Sequence, residues 1–120
     1  MSSNISSRED DQSTILGVAV HVLGLFFGIF GAGIVYLLSE AGFTKANATN
    51  AMNWQIFVLV SSIVFGLMAF GLEPVSGLFV IVGAFGILIV GLLDIVFCIL
   101  ATFKALGGAK WKYPITPEFL

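Results

Sequence analysis

Asp94 stands alone as a charged residue inside the apolar run Val75–Phe103. A carboxylate at the centre of a membrane helix costs about 2.5–3.5 kcal/mol on insertion scales. Its presence therefore demands a partner: a proton, hydrogen-bond donors, or water. Two chemistries fit. Asp94 is a proton or cation pathway residue, or it is a hydrogen-bonded packing residue; a position near the interface that reaches water is a third reading. Candidate partners are Asn53 and Gln55 ahead of the second apolar run, with Ser61 and Ser62 further in. His21 is the one histidine and lies in the first apolar run. No other histidine or cysteine stands at ligand spacing, so it reads as a bonded packing residue and no metal site is expected. Its depth differs from that of Asp94 by roughly 10–15 Å at helical rise, which argues against a direct His21–Asp94 pair. Cys98 is the one cysteine and reads as a small buried hydrophobe. Phosphate-binding glycine loops, zinc signatures and nucleophile triads are absent, so no catalytic residue, no cofactor and no enzymatic activity is expected.

Small residues mark the faces that would position these groups. Gly17, His21, Gly24, Gly28 and Gly31 fall four and three apart on one stripe, and Gly24 with Gly28 forms a G-x-x-x-G pair. In lipid, helices associate where small residues let backbones approach. The stripe serves packing within the chain or a dimer face. A second stripe runs through Gly77, Ala84, Gly91, Asp94, Cys98 and Ala101, predicting that Asp94 points inward and that Leu88, Leu92, Ile95 and Ile99 face lipid.

Three continuous apolar runs carry these stripes: Ile15–Leu38, Ile56–Leu72 and Val75–Phe103. They do not alternate, so they are helices and not barrel strands. Between the first two, Ser39–Gln55 mixes Asn47, Asn50 and Asn53 with Phe43, Ala46, Ala51 and Trp54. It reads as a short interfacial helix, or an extension of the second span, with Thr44 as its cap. Glu73-Pro74 marks a tight hairpin. Trp54, Trp111 and Tyr113 suit the headgroup level as interfacial anchors. The expected organisation is a disordered polar tail (1–14), a three-helix transmembrane domain (15–106) and an interfacial C-terminal tail (107–120). The polar start lacks the basic opening of a secretory signal.

Composition agrees. Of 120 residues, 58% are hydrophobic and only 10% charged, against about 25% charged in soluble domains; the mean hydropathy is +1.07. A net charge of -2 offers no basic field for nucleic acid. Three spans place the termini on opposite sides. Lys45, Lys104, Lys110 and Lys112 on one side, against Arg8 on the other, predict a cell-membrane protein with the N-terminus outside and the C-terminus cytoplasmic.

The order of features resembles a known family. His21 and Leu23-Gly24 open the first run, and Asn50-Ala51-Met52-Asn53-Trp54-Gln55 opens the second. The third leads into Lys104-Ala105, Trp111-Lys112-Tyr113-Pro114 and Ile115-Thr116. From Ile15 to Leu120 this is similar to a prokaryotic family of small membrane proteins classed as a domain of unknown function. That family is distantly similar to the twenty-kilodalton Tic subunit of the chloroplast import translocon. The resemblance implies a small helical membrane protein and, through the Tic link, a part in protein conduction. The expectation is thus an all-α polytopic membrane protein acting as a non-enzymatic scaffold or partner-binding subunit. Its partners would be the lipid bilayer and further copies of itself or another membrane protein. The alternative is an oligomeric conducting or protein-translocation subunit.

Overall fold

The structure, a computed structural model, describes residues 15–120 in full and of residues 2–14 only their place in the first helix. The mobile tail expected over 1–14 falls outside the described residues. Three helices make up the chain: α1 (Ser2–Leu38), α2 (Gly42–Gly71) and α3 (Gly77–Leu106), with no strand among the described residues. By length and composition alone, all three are long and apolar enough to cross a membrane.

No separate interfacial helix precedes the second span. α2 runs unbroken from Gly42 to Gly71; Asn50 and Asn53 direct their side chains to the C-terminal segment instead of competing for the local backbone. Thr44 is not the cap. The helix starts from an extended Ala41 with no side-chain bond, after which Gly42 takes a positive φ of 82°.

α1 does not run straight. Gly28 breaks it with φ 60° and ψ -139°, a region essentially reserved for glycine. Beyond it the chain doubles back. A Cβ on Gly31 would collide with the Leu23 carbonyl, although eight residues of straight helix would separate the two by about 12 Å. Contacts along α2 trace the same reversal. Gly17 lies against Phe43, Gly24 against Gln55, and Gly33 back against Met52; Tyr36 O then accepts from Lys45 Nζ at 2.8 Å. Residues 15–27 therefore run parallel to the start of α2, and residues 29–38 return antiparallel beside them.

The doubling-back gathers three described segments together. His21 is bonded to Asn47 and Tyr113, so the start of the described part of α1, the start of α2 and the C-terminal segment share one end of the bundle.

α2 and α3 pack antiparallel about the turn at residues 72–76, where Ser76 Oγ accepts from Leu78 N at 3.2 Å and caps α3. They approach closely at Gly83, where a Cβ would lie 2.5 Å from Phe65 O and 2.6 Å from Ala69 N. The buried face of α3 is Gly83, Gly86, Val90, Cys98, Ala101 and Ala105. Ala84 and Gly91, expected on it, are exposed. At about 100° per residue they sit roughly 60–80° round from Asp94 on one flank, whereas Gly83, Val90 and Ala101 lie roughly 20–40° round on the other. Spacing alone admits either flank, and the close approach to α2 selects the second. Leu88, Leu92, Ile95 and Ile99 are exposed on the outside, as expected.

Candidate functional site

Three asparagines one helical turn apart build the polar end of the core. Asn47 Nδ2 donates to Phe43 O at 3.1 Å and to Ala109 O at 3.3 Å. Asn50 Nδ2 donates to Trp111 O at 3.0 Å. Asn53 Oδ1 accepts from Leu120 N at 2.8 Å. Residues i, i+3 and i+6 share a helix face, so this row of amides clamps the C-terminal segment onto α2.

The clamp drives Tyr113 into the protein, where it is 2% exposed. Its ring stacks on Trp54 with centroids 5.3 Å apart at 10°, and Trp54 itself is fully buried. Neither is the lipid-interface anchor its residue type suggested. The amide clamp and the stacking place both inside the bundle, while Trp111, half-buried, packs against Phe97 and Tyr113.

His21 is fully buried between Tyr113 and Asn47. With Asn47 Nδ2 committed to carbonyls, Asn47 Oδ1 must accept, so His21 Nε2–H donates to it at 2.8 Å. That tautomer, assigned from the network, leaves Nδ1 to accept from Tyr113 Oη–H at 2.6 Å. Burial pushes the Tyr113 phenol up, which keeps it in the donating form.

Asp94 anchors the other end of the network. Oδ1 accepts from Trp54 Nε1 at 2.8 Å, Gln55 Nε2 at 3.1 Å and Cys98 Sγ at 3.3 Å. Cys98 Sγ in turn lies 3.7 Å from Gln55 Nε2 and 3.9 Å from Tyr113 Oη. His21 and Asp94 do not pair directly; Tyr113, bonded to His21, and Cys98, bonded to Asp94, touch between them.

Of the expected partners of Asp94, Gln55 is at the carboxylate and Asn53 is not, being held by the C-terminal segment. Gly17, Gly24 and Gly31 are buried within the chain, so the α1 stripe packs internally, and Gly28 marks the reversal. Sequence reasoning missed Asn47, Asn50 and the indole of Trp54. The signal was present in the Asn47/Asn50/Asn53 period, an unusual polar row at the head of an apolar helix.

Comparison with known proteins sets this arrangement in a family. The magnetosome magnetite crystal formation protein family, MamF/MmsF, matches residues 11–120. The chain belongs to that family. No curated protein and no solved structure matches it, and no likeness to the chloroplast translocon subunit emerges. The family match covers the whole network from His21 to Leu120. With the three apolar helices it supports a multi-pass membrane protein. Among the described residues no group of three His, Cys, Asp or Glu side chains is placed to hold a metal ion.

Proposed function

We propose that the protein is a non-enzymatic structural subunit of the magnetosome membrane that takes part in magnetite crystal formation. The family supplies the setting, and one observation carries the role. The polar side chains of the core form two bonded sets, Asn47 with His21 and Tyr113 and Asp94 with Trp54, Gln55 and Cys98, which meet where Tyr113 Oη lies 3.9 Å from Cys98 Sγ, and no buried side-chain nitrogen or oxygen among the described residues lacks a partner. A network so occupied fixes one packing of the bundle. The surface around it is apolar, with Phe30, Leu67, Phe70 and Leu78 widely exposed, and suits lipid and other membrane helices. Further copies or a second membrane protein would bind there.

The fold also supports an arrangement in the bilayer. Residues 15–27 and 29–38 cover about 20 Å and 15 Å at helical rise, each short of the roughly 30 Å hydrocarbon core. In this reading α1 enters as a re-entrant hairpin, while α2 and α3 span. Non-helical backbone at membrane depth is tolerated where protein covers it, and Gln55 lies at the Gly28 break. Lys45, Lys104, Lys110 and Lys112 then all fall at one end, and the opposite turn carries only Glu73. Both terminal segments are therefore cytoplasmic.

Reporter fusions test the arrangement. A fluorescent protein that matures only in the cytoplasm should light at either terminus, and an exported phosphatase inserted at residues 72–76 should be active. An extracytoplasmic N-terminal reporter would remove the hairpin reading. The role itself is tested by deletion in a magnetite-forming cell, with crystal size and shape measured by electron microscopy. Complementation by the intact chain, and failure by a variant that inserts but does not fold, are expected. Unchanged crystals after deletion would refute the role.

A further inference from the structure

The side-chain network leaves one oxygen over. Trp54, Gln55 and Cys98 all converge on Oδ1 of Asp94. Oδ2 accepts no bond from a described residue, and the one ion pair among the described residues, Lys112–Glu118, lies on the exposed C-terminal segment. Asp94 is half-buried and lines a cavity of about 230 Å³ together with Gly28, Ile29, Gln55, Val58 and Ser62.

The cavity sits at the point where α1 reverses. Gln55 Oε1 lies 3.8 Å from the Cβ position of Gly28, and a helix break leaves main-chain groups without their helical partners. The carboxylate of Asp94, the amide of Gln55 and the hydroxyl-bearing Ser62 thus line one cavity beside the helix break. A broken helix beside an intramembrane carboxylate is an arrangement that binds small ions.

We propose that this cavity binds a single monovalent cation of the alkali class, with Asp94 Oδ2 as its charged ligand and Gln55 Oε1 and Ser62 Oγ as neutral ones. Charge selects the class. One carboxylate is neutralised by one positive charge, whereas a divalent ion would leave net charge in hydrocarbon. Donor chemistry agrees, since the oxygens are hard and Cys98 Sγ is occupied at Oδ1. Volume agrees too: about 30 Å³ per water leaves room for an ion that keeps part of its hydration. Site and structural role are separate claims, because the ion would stabilise the hairpin tip whether or not the subunit shapes crystals.

The test uses the full chain in lipid nanodiscs. Thermal unfolding is followed in sodium chloride and in choline chloride at equal ionic strength, with sodium NMR line broadening as a second readout. The melting temperature should rise saturably with sodium, as ligand linkage requires, and the sodium line should broaden. Asp94→Asn, which retains an oxygen acceptor for Trp54, should lose both effects. Ser62→Ala, away from the Oδ1 network, should raise the half-saturating sodium concentration several-fold. Equal melting in the two salts with no line broadening overturns the site. Stability that follows pH and ignores sodium also overturns it, by assigning Oδ2 a proton. Either result leaves the topology reporters and the deletion experiment standing on their own.

Discussion

Gly28→Ala separates a doubled-back α1 from a straight one by the sign of its effect. In the interior of a straight helix, alanine is better than glycine by about 0.8–1.0 kcal/mol, so the substitution would stabilise. At φ 60° and ψ -139° an L-residue is strained by about 1–3 kcal/mol, so it should destabilise. The two geometries therefore differ by roughly 2–4 kcal/mol on the same substitution. The cost is conformational and not steric, because the new Cβ meets only Gln55 Oε1, at 3.8 Å. Gly66→Ala provides the control: Gly66 lies within α2 with nothing within 4 Å of its Cβ position, and alanine there should be neutral or stabilising by up to about 1 kcal/mol. The assay is equilibrium unfolding in mixed micelles, followed by helix content. A Gly28→Ala protein as stable as, or more stable than, the parent would refute the reversal and with it the re-entrant arrangement.

Three further outcomes follow from the packing. Tyr113→Phe keeps the stack on Trp54 but removes the donor to His21 Nδ1, both groups being buried. It should lower unfolding stability by about 1–3 kcal/mol. Gly83→Ala forces a Cβ to within 2.6 Å of the Phe65 and Ala69 backbone atoms, so α2 and α3 must separate; proximity labels on the two helices should report the gap, whereas Gly91→Ala, in open space, should leave it unchanged. Lys112→Ala removes an exposed pair that holds the Glu118 carboxyl below its usual range. Whatever the pair contributes is present at neutral pH and lost as pH falls through the Glu118 range, and thermal melts at neutral pH should barely change.

The sequence alone determined the class of the protein. Long runs of apolar residues cannot remain in water, and their continuity selects helices, so the all-helical membrane character was legible from Ile15, Ile56 and Val75 onward. It was equally legible that Asp94 must find donors and that Gln55 could supply one, because an unpartnered carboxylate in hydrocarbon is too costly. The course of α1 was not. Gly24 and Gly28 have the spacing of a packing motif, and nothing in composition distinguishes a glycine that packs from one that turns; φ at Gly28 is set only when residues 29–38 find Leu23 and Met52. The flank of α3 that faces inward was undecided for the same reason. Tyr113 and Trp54 carry the signature of interfacial aromatics. Only the asparagine clamp, a contact between residues about sixty apart in the chain, turns them inward to join His21 and Asp94. Local pattern sets what each segment must bury, and the long-range contacts decide against what.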